Sequence, residues 1–336
     1  MKAFVVERFS KDGLRAAEVP EPDPGDGDVL IQVHAAGVNP LDSKIRAGEF
    51  KFILPHRPPF TLGHDVAGVV TRVGPAVRGF KPGDEVYARP RDSRIGTFAE
   101  YIAVHQDDVA PKPASLSMPE AAALPLVALT AWQALVERAN LRAGQKVLIH
   151  AGSGGVGTMA IQLARHLGAT VATTTSTANM DWVKSLGADL VIDYKHEDFA
   201  RVLTGYDVVL DPLGGRSLAK SLTVLKPGGL AIGISGPPDP AFARQIGAPP
   251  LLRMAMTALS RRVRRQAKRL GVRYSFLFMR ADGTQLRELT KLVEAGDLHP
   301  VLDRVFPFDQ TLDAIAYVDQ GRAKGKVVVT LDQVPH

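Results

Sequence analysis

The 336-residue chain contains no cysteine. That absence removes disulfides, thiol nucleophiles and thiolate metal sites together, and it fits a cytoplasmic protein. Missing too is an apolar run able to span a bilayer. The longest, AAALPLVALTAW, is broken by Pro125 and falls short of the ~20 residues required. The opening MKAFVVERFS reaches Glu7 and Arg8 too soon for a signal h-region and reads as a first strand. Solenoid repeats are absent. The 31 glycines and 24 prolines are spread along the chain, so no low-complexity block forms. The expectation is a soluble globular protein of two domains, since the length exceeds that of one.

Acidic residues are missing from one further place. Residues 251–273, LLRMAMTALSRRVRRQAKRLGVR, carry eight basic side chains and no carboxylate. Without those eight, the net charge of +6 becomes −2. The basicity is one segment and not a global field, which argues against a nucleic-acid partner.

What is present divides the chain in two. Up to about residue 110, short alternating runs (KAFVVERF, VLIQVHAAGV, DVAGVVTRVG, DEVYAR, FAEYIAV) are separated by Pro and Gly clusters, the pattern of a β-barrel or sandwich. At SMPEAAALPLVALTAW the period becomes helical, with Ser117 as N-cap and Glu120 three residues on. From there strands and helices alternate: KVLIHA, TVATTT, DLVIDY, YDVVLD, GGLAIGI and YSFLFM are six apolar strands between amphipathic helices. Such a series predicts a doubly wound parallel sheet covered on both faces, an α/β Rossmann domain. We place the first domain at 1–116, with 299–336 returning to it, and the second at 117–298.

The turn Ala151–Gly157, AGSGGVG, leaves the strand KVLIHA and opens the helix TMAIQLARHLG. Gly152, Gly154 and Gly157 stand in a G-x-G-x-x-G frame. The first permits the tight turn, the second lets backbone N–H groups approach a pyrophosphate, and the third allows helix and sheet to close. An acid after the second strand normally accepts the ribose 2′-hydroxyl of NAD. Here Thr173–Asn179 reads TTTSTAN, and the next carboxylate is Asp181. A 2′-phosphate is tolerated, so NADPH is favoured over NADH.

The ordered series AAGVNPLDSKIRAGEF, LGHDVAGVVTRVG, FKPGDEVYA, GTFAEYIAV, LTAWQAL, AGSGGVG, STANMDWVKSLGADLVIDY and GRAKGKVVV resembles the medium-chain dehydrogenase/reductase superfamily, in its zinc-independent quinone oxidoreductase and enone reductase branch. The likeness covers nearly the whole chain. It implies a GroES-like β-barrel carrying the substrate site, a Rossmann domain, a cleft between them, and a homodimer joined through the last Rossmann strand. Carried over residue by residue, it places Thr130 under the nicotinamide, and Gly154, Gly155, Val156 and Gly157 on the pyrophosphate. Ser176 would meet the adenosine phosphate, with Asn179, Tyr194 and Arg322 also reaching the cofactor. Related sequences often have a basic residue where this chain has Ala178.

Zinc-dependent relatives resemble the chain at Gly63-His64-Asp65, but they also need a cysteine in the segment here written AAGVNPLD. His64 and Asp65 supply at most two adjacent donors, against the three protein ligands of a catalytic zinc, so no metal is expected. Without a Lewis acid, hydride delivery to an electron-poor quinone or α,β-unsaturated carbonyl is the chemistry that remains easy, needing one proton and some anion stabilisation. Candidates for that work are Asn39, Asp42 and Lys44. Asp42 and Lys44 stand two residues apart in what reads as a turn, and Lys44 is read either as a cation for the developing oxyanion or as a solvated turn lysine paired with Asp42. His64 is expected to hydrogen-bond at the base of the site, Gly68 to allow close barrel packing, and Tyr87 and Phe50 either to line the site or to belong to the core. The alternative is an NADPH-binding redox-sensing or structural protein with little turnover; retention of both the Asn39–Lys44 segment and the glycine turn favours the enzyme.

In the basic segment Leu252, Met256, Leu259, Val263, Ala267 and Leu270 fall at the spacing of one helical face, with the arginines mainly opposite. A lid or wall of the substrate pocket is the first reading. Peripheral contact with an anionic membrane stays open.

Overall fold

The computed structural model describes residues 1–331; the last five positions assigned to the returning segment 299–336 lie outside the described residues. The chain forms two compact units, Met1–Leu129 with Arg280–His336, and Thr130–Met279.

The first unit is built on antiparallel pairing. Strands β1 (Lys2–Val6), β2 (Leu14–Glu18) and β4 (Phe60–Thr61) make a small sheet in the order β2-β1-β4. The larger sheet is organised by the long strand β3 (Asp28–Val38). Along one edge β3 pairs with β5 (Asp65–Val73). Along the other it pairs first with β7 (Tyr101–His105), through Asp28–Gln32, and then with β16 (Lys326–Thr330), through Ala35–Val38. Strands β6 (Glu85–Ala88) and β8 (Val109–Pro111) extend the sheet beyond β5, and β15 (Leu302–Pro307) runs parallel to β16. The register of β3 against β5 shifts between Val33 and Ala35. There Gly68 is required, because a Cβ would lie 2.0 Å from the Gln32 carbonyl oxygen.

Three helices complete this unit's framework: α1 (Pro40–Arg46), α2 (Met118–Ala122) and α3 (Pro125–Trp132), the last crossing into the second unit. Helix α2 has the capping box read from Ser117 and Glu120. The change of period at Ser117 is therefore real, but it is not where the compact units divide. Helix α2 packs on β3, β5 and β16, and Gly37 keeps space for it: a Cβ there would lie 2.5 Å from the Ala122 carbonyl oxygen. Likewise α11 (Gly283–Glu294) packs on β8, so its chain belongs with the barrel; α12 (Thr311–Asp319) follows.

In the second unit β9 (Lys146–Ile149), β10 (Thr170–Thr175), β11 (Leu190–Asp193), β12 (Tyr206–Asp211), β13 (Leu225–Gly233) and β14 (Arg273–Phe276) form one sheet, in the order β11-β10-β9-β12-β13-β14. Every pairing is parallel. The order reverses at β9, which is where a doubly wound sheet opens a crevice at its strand ends. Strand β12, YDVVLD, is buried at every position, as a central strand covered on both faces must be. The connecting helices are α4 (Gly155–His166), α5 (Met180–Ser185), α6 (Phe199–Val202) and α7 (Gly215–Ser221).

Between β13 and β14 the chain makes α8 (Pro240–Gln245), α9 (Pro250–Leu259) and α10 (Arg261–Arg269). The single helical face expected over 251–273 is corrected here. The helix breaks at Ser260, whose side chain is buried against the Met256 carbonyl, and the break changes the phase. Met256, Val263 and Ala267 point inward, whereas Leu259 and Leu270 are exposed.

Candidate active site and cofactor cradle

In the barrel unit, five polar side chains are buried together: Asn39, Asp42, His64, Asp65 and Lys326. Asn39 caps α1. Its backbone N–H donates to Asp42 Oδ2 at 2.7 Å, folding the Asp42 carboxylate back beneath the helix start. Asp42 Oδ1 meets His64 Nδ1 at 2.6 Å. The Asn39 amide donates to Asp65 Oδ2 at 2.8 Å, and Asp65 Oδ1 accepts from the Leu126 backbone N–H at 2.7 Å. Lys326 closes the group from β16. Its ammonium donates to the Val38 carbonyl at 2.9 Å and to Asn39 Oδ1 at 2.7 Å, and lies 3.2 Å from Asp65 Oδ2. A buried carboxylate and a buried ammonium thus neutralise each other inside the sheet, with neutral groups filling their remaining valences.

This geometry separates the three residues read as catalytic. Asn39 and Asp42 lie inside the network with their polar atoms committed, so they position their neighbours. Lys44 lies elsewhere. The segment is a helix, not a turn, and residues two apart on a helix face roughly opposite directions. Asp42 is fully buried, Lys44 half-buried, and the two do not pair. His64 Nε2 is buried without a hydrogen-bond partner among the described residues. Tyr87 belongs to the core: its hydroxyl donates to the Leu286 carbonyl at 2.7 Å and meets Thr290 Oγ1 at 2.9 Å. Burial raises its pKa above the usual tyrosine value.

Sequence reasoning missed Lys326. It stands in GRAKGKVVV, whose first arginine, Arg322, drew attention as a cofactor contact, but the structure leaves Arg322 exposed before β16, within the barrel unit. A lysine inside an otherwise apolar strand was the available signal.

In the Rossmann unit the glycine turn follows β9 and opens α4, with Gly154 as the residue before the helix. The three frame glycines are needed for different reasons. At Gly152 a Cβ would meet Thr173 Oγ1 at 2.2 Å, and at Gly157 it would meet the Ala151 carbonyl oxygen at 2.2 Å. At Gly154 the nearest protein atom would be 3.4 Å away, an ordinary contact. Protein packing does not demand a glycine there, whereas a ligand closing on the backbone would. Gly155 and Val156 form the first turn of α4, so their N–H groups face the same anion position. The residues present fit a dinucleotide.

At the end of β10, Asn179 Nδ2 donates to Ser176 Oγ at 3.1 Å, and the Trp182 indole N–H donates to Asn179 Oδ1 at 3.2 Å. An acid is also present, which reading β10 alone did not reveal. Asp193, paired with Thr175 across the sheet, accepts a hydrogen bond from the Thr177 hydroxyl. That bond is the main cause holding its pKa below the usual aspartate value, helped by the Lys195 N–H and by the nearby His196 and Lys195 charges. Tyr194 is exposed beside it, and Thr130 is buried within α3.

One further buried group adjoins the turn. His150 bonds Thr174 Oγ1 at 3.0 Å and Ser221 Oγ at 2.9 Å, and Ser221 donates to Asp211. Burial pushes the His150 imidazole down to about 4, against the opposing pull of Asp211.

A barrel of this topology joined to a parallel sheet in this strand order, with a glycine cradle fit for a dinucleotide, defines a nicotinamide-dependent oxidoreductase. Family comparison agrees. Residues 25–114 match the alcohol dehydrogenase GroES-like domain, and residues 186–329 match the zinc-binding dehydrogenase domain. The chain belongs to the medium-chain dehydrogenase/reductase superfamily, in its quinone and enone reductase branch, and it is an NADP(H)-dependent oxidoreductase. It is 39% identical over 344 residues to a 2-methylene-furan-3-one reductase of Solanum lycopersicum, covering 98% of this chain and 79% of that one. It is 37% identical, with the same coverage, to an NADPH-dependent alkenal/one oxidoreductase of Arabidopsis thaliana. Among solved structures, a quinone oxidoreductase from Coxiella burnetii superposes with a TM-score of 0.84 at 33% identity, covering 98% of this chain and 99% of that one.

Proposed function

We propose that the chain reduces α,β-unsaturated carbonyls and quinones with NADPH, and does so without zinc. The observation that carries this reading is the pairing of Asp65 with Lys326. In a zinc site the residues beside His64 would turn their lone pairs toward a cation. Here both Asp65 oxygens accept hydrogen bonds and an ammonium lies 3.2 Å from one of them, while Asp42 takes up His64 Nδ1. With no cysteine in the chain, this donor set does not fit a zinc ion. No alcohol is then activated as an alkoxide, and acceptors that need only hydride and a proton are favoured.

Bound NADPH supplies the hydride. The chain would hold the pyrophosphate on the N–H groups of Gly155, Val156 and Gly157, with Gly154, whose own N–H donates to the Ala151 carbonyl, leaving room for it, and the 2′-phosphate beside Ser176 and Asn179, with Tyr194 adjoining. At the barrel unit the half-buried ammonium of Lys44 and Nε2 of His64 are among the polar groups that make no hydrogen bond to the described residues. Lys44 stabilises the oxyanion that forms when hydride reaches the β-carbon of an enone or a quinone ring. The proton that completes the reduction comes from solvent. Asn39, Asp42, Asp65 and Lys326 act as positioning residues. A homodimer and a cytoplasmic location complete the reading; sedimentation velocity and cell fractionation measure them.

The test is NADPH consumption with a panel of enones and quinones, run in parallel with NADH and with metal analysis of the purified protein. Turnover preferring NADPH, with no stoichiometric zinc, is expected. Tight NADPH binding without turnover of any acceptor, or zinc-dependent alcohol oxidation, overturns the reading.

A further inference from the structure

The turn after β10 carries no cationic side chain: Ser176, Thr177, Ala178 and Asn179 are all neutral. A phosphate at that turn is therefore recognised by neutral donors, and the direction in which each hydrogen bond runs decides whether a donor is available.

Trp182, in the first turn of α5, sets that direction. Its indole N–H donates to Asn179 Oδ1 at 3.2 Å, and an indole nitrogen has no lone pair with which to accept. The carbonyl end of the Asn179 amide is thus held toward Trp182 and the amino end toward Ser176, whose Oγ accepts at 3.1 Å. An amide nitrogen accepts nothing, so the Ser176 hydroxyl proton cannot turn back along the chain. No acceptor among the described residues takes it, and Ser176 is only half-buried. Nor does Asp193, paired with Thr175 across the sheet, stand ready as an acceptor. The Thr177 hydroxyl donates to its Oδ2 and the Lys195 N–H to its Oδ1 at 3.0 Å, so both oxygens of this buried carboxylate face donors of the chain itself.

We infer that Trp182 is a positioning residue for cofactor selectivity: through Asn179 it makes the Ser176 hydroxyl a committed donor, which a 2′-phosphate accepts and a 2′-hydroxyl does not require. A phosphate monoester near neutral pH presents acceptor oxygens, whereas a hydroxyl donates as readily as it accepts and is indifferent to the direction of the chain. The inference rests on the placement of the 2′-phosphate beside Ser176 and Asn179 proposed above.

The test is calorimetric titration of the full chain with NADP⁺ and with NAD⁺, which needs no acceptor substrate. In Trp182→Phe the bulk of the ring stays and the N–H goes, which releases the Asn179 amide to rotate and take up the Ser176 proton. The NADP⁺ dissociation constant is expected to rise at least about threefold while that of NAD⁺ changes less than about twofold. Ser176→Ala should give a similar loss. Trp182→Phe/Ser176→Ala should lose no more than Ser176→Ala alone, since the indole acts only through that hydroxyl. Asn179→Asp accepts from both neighbours, reverses the bond to Ser176 and is expected to weaken NADP⁺ binding at least about tenfold. Losses that add in the double variant, or that weaken both cofactors alike, assign Trp182 a merely structural role and overturn the inference. So does NADP⁺ binding that Trp182→Phe or Ser176→Ala leaves unchanged in a wild-type background that prefers NADP⁺. A wild-type chain that binds NAD⁺ as tightly as NADP⁺ overturns the 2′-phosphate reading itself, and the inference with it.

Discussion

Replacing Lys326 with methionine keeps the length of the side chain and removes its charge. The ammonium it deletes serves three acceptors, the Val38 carbonyl, Asn39 Oδ1 and Asp65 Oδ2, all buried. Asp65 keeps its bonds from Asn39 and Leu126 but loses the positive charge that balances it in a site closed to water. Breaking one half of a buried ion pair costs about 3–5 kcal/mol, more than the pair contributes over an apolar replacement, because the surviving charge stays desolvated. For a unit of this size that corresponds to a fall in Tm of about 6–20 °C. The informative comparison is Lys326→Met with Lys326→Met/Asp65→Asn, in which the stranded charge is removed. Scanning calorimetry should show the double variant regaining at least about half of the loss. A single variant that melts within about 3 °C of wild type, or a double variant less stable than the single, would refute the claim that a compensated charge pair holds this part of the barrel.

Three further outcomes follow from the same geometry. Gly154→Ala should leave thermal stability nearly unchanged and weaken NADPH binding at least about tenfold, whereas Gly157→Ala should lower stability itself, since its Cβ would lie 2.2 Å from the Ala151 carbonyl oxygen; paired melting and binding curves distinguish the two. His150 is held neutral in the fold, with its pKa lowered from 6.5 to about 4, so the unfolded chain takes up the proton first as pH falls. Its contribution is present above the ordinary histidine range and is lost between about pH 6.5 and 4, amounting to about 2 kcal/mol between pH 7 and 5. Urea unfolding at both pH values should show this increment in wild type and not in His150→Gln. Tyr87→Phe should cost about 1 kcal/mol through the lost bonds to Leu286 and Thr290, with kcat unchanged, because the ring is core and not substrate lining.

The parallel sheet was legible in sequence because each of its strands is a continuous apolar run closed by a turn, and the glycine frame was legible because its context is local. The network around His64 was not, for it depends on distance along the chain: Lys326 and Asp65 are 261 residues apart, and neither carries a mark of the other. Asp42 and Lys44 looked like neighbours because a turn was assumed; the helix that forms sends them to different surroundings. Asp193 escaped notice for a similar reason. It lies at the end of β11, and cross-strand pairing with Thr175, not sequence order, brings it to the end of β10. In the basic segment the helical period was right, but one buried serine broke the face in two.

Strand β3 has an edge that two partners share, β7 over its first half and β16 over its second. The second partner is synthesised after all of the Rossmann unit, so as the chain emerges the inserted unit is complete while the barrel still has an open seam. Until Lys326 arrives, Asp65 has no counter-charge and must remain in water. A chain cut before β16 therefore carries a finished nucleotide fold on a barrel with half of one β3 edge unpaired and a carboxylate that resists burial.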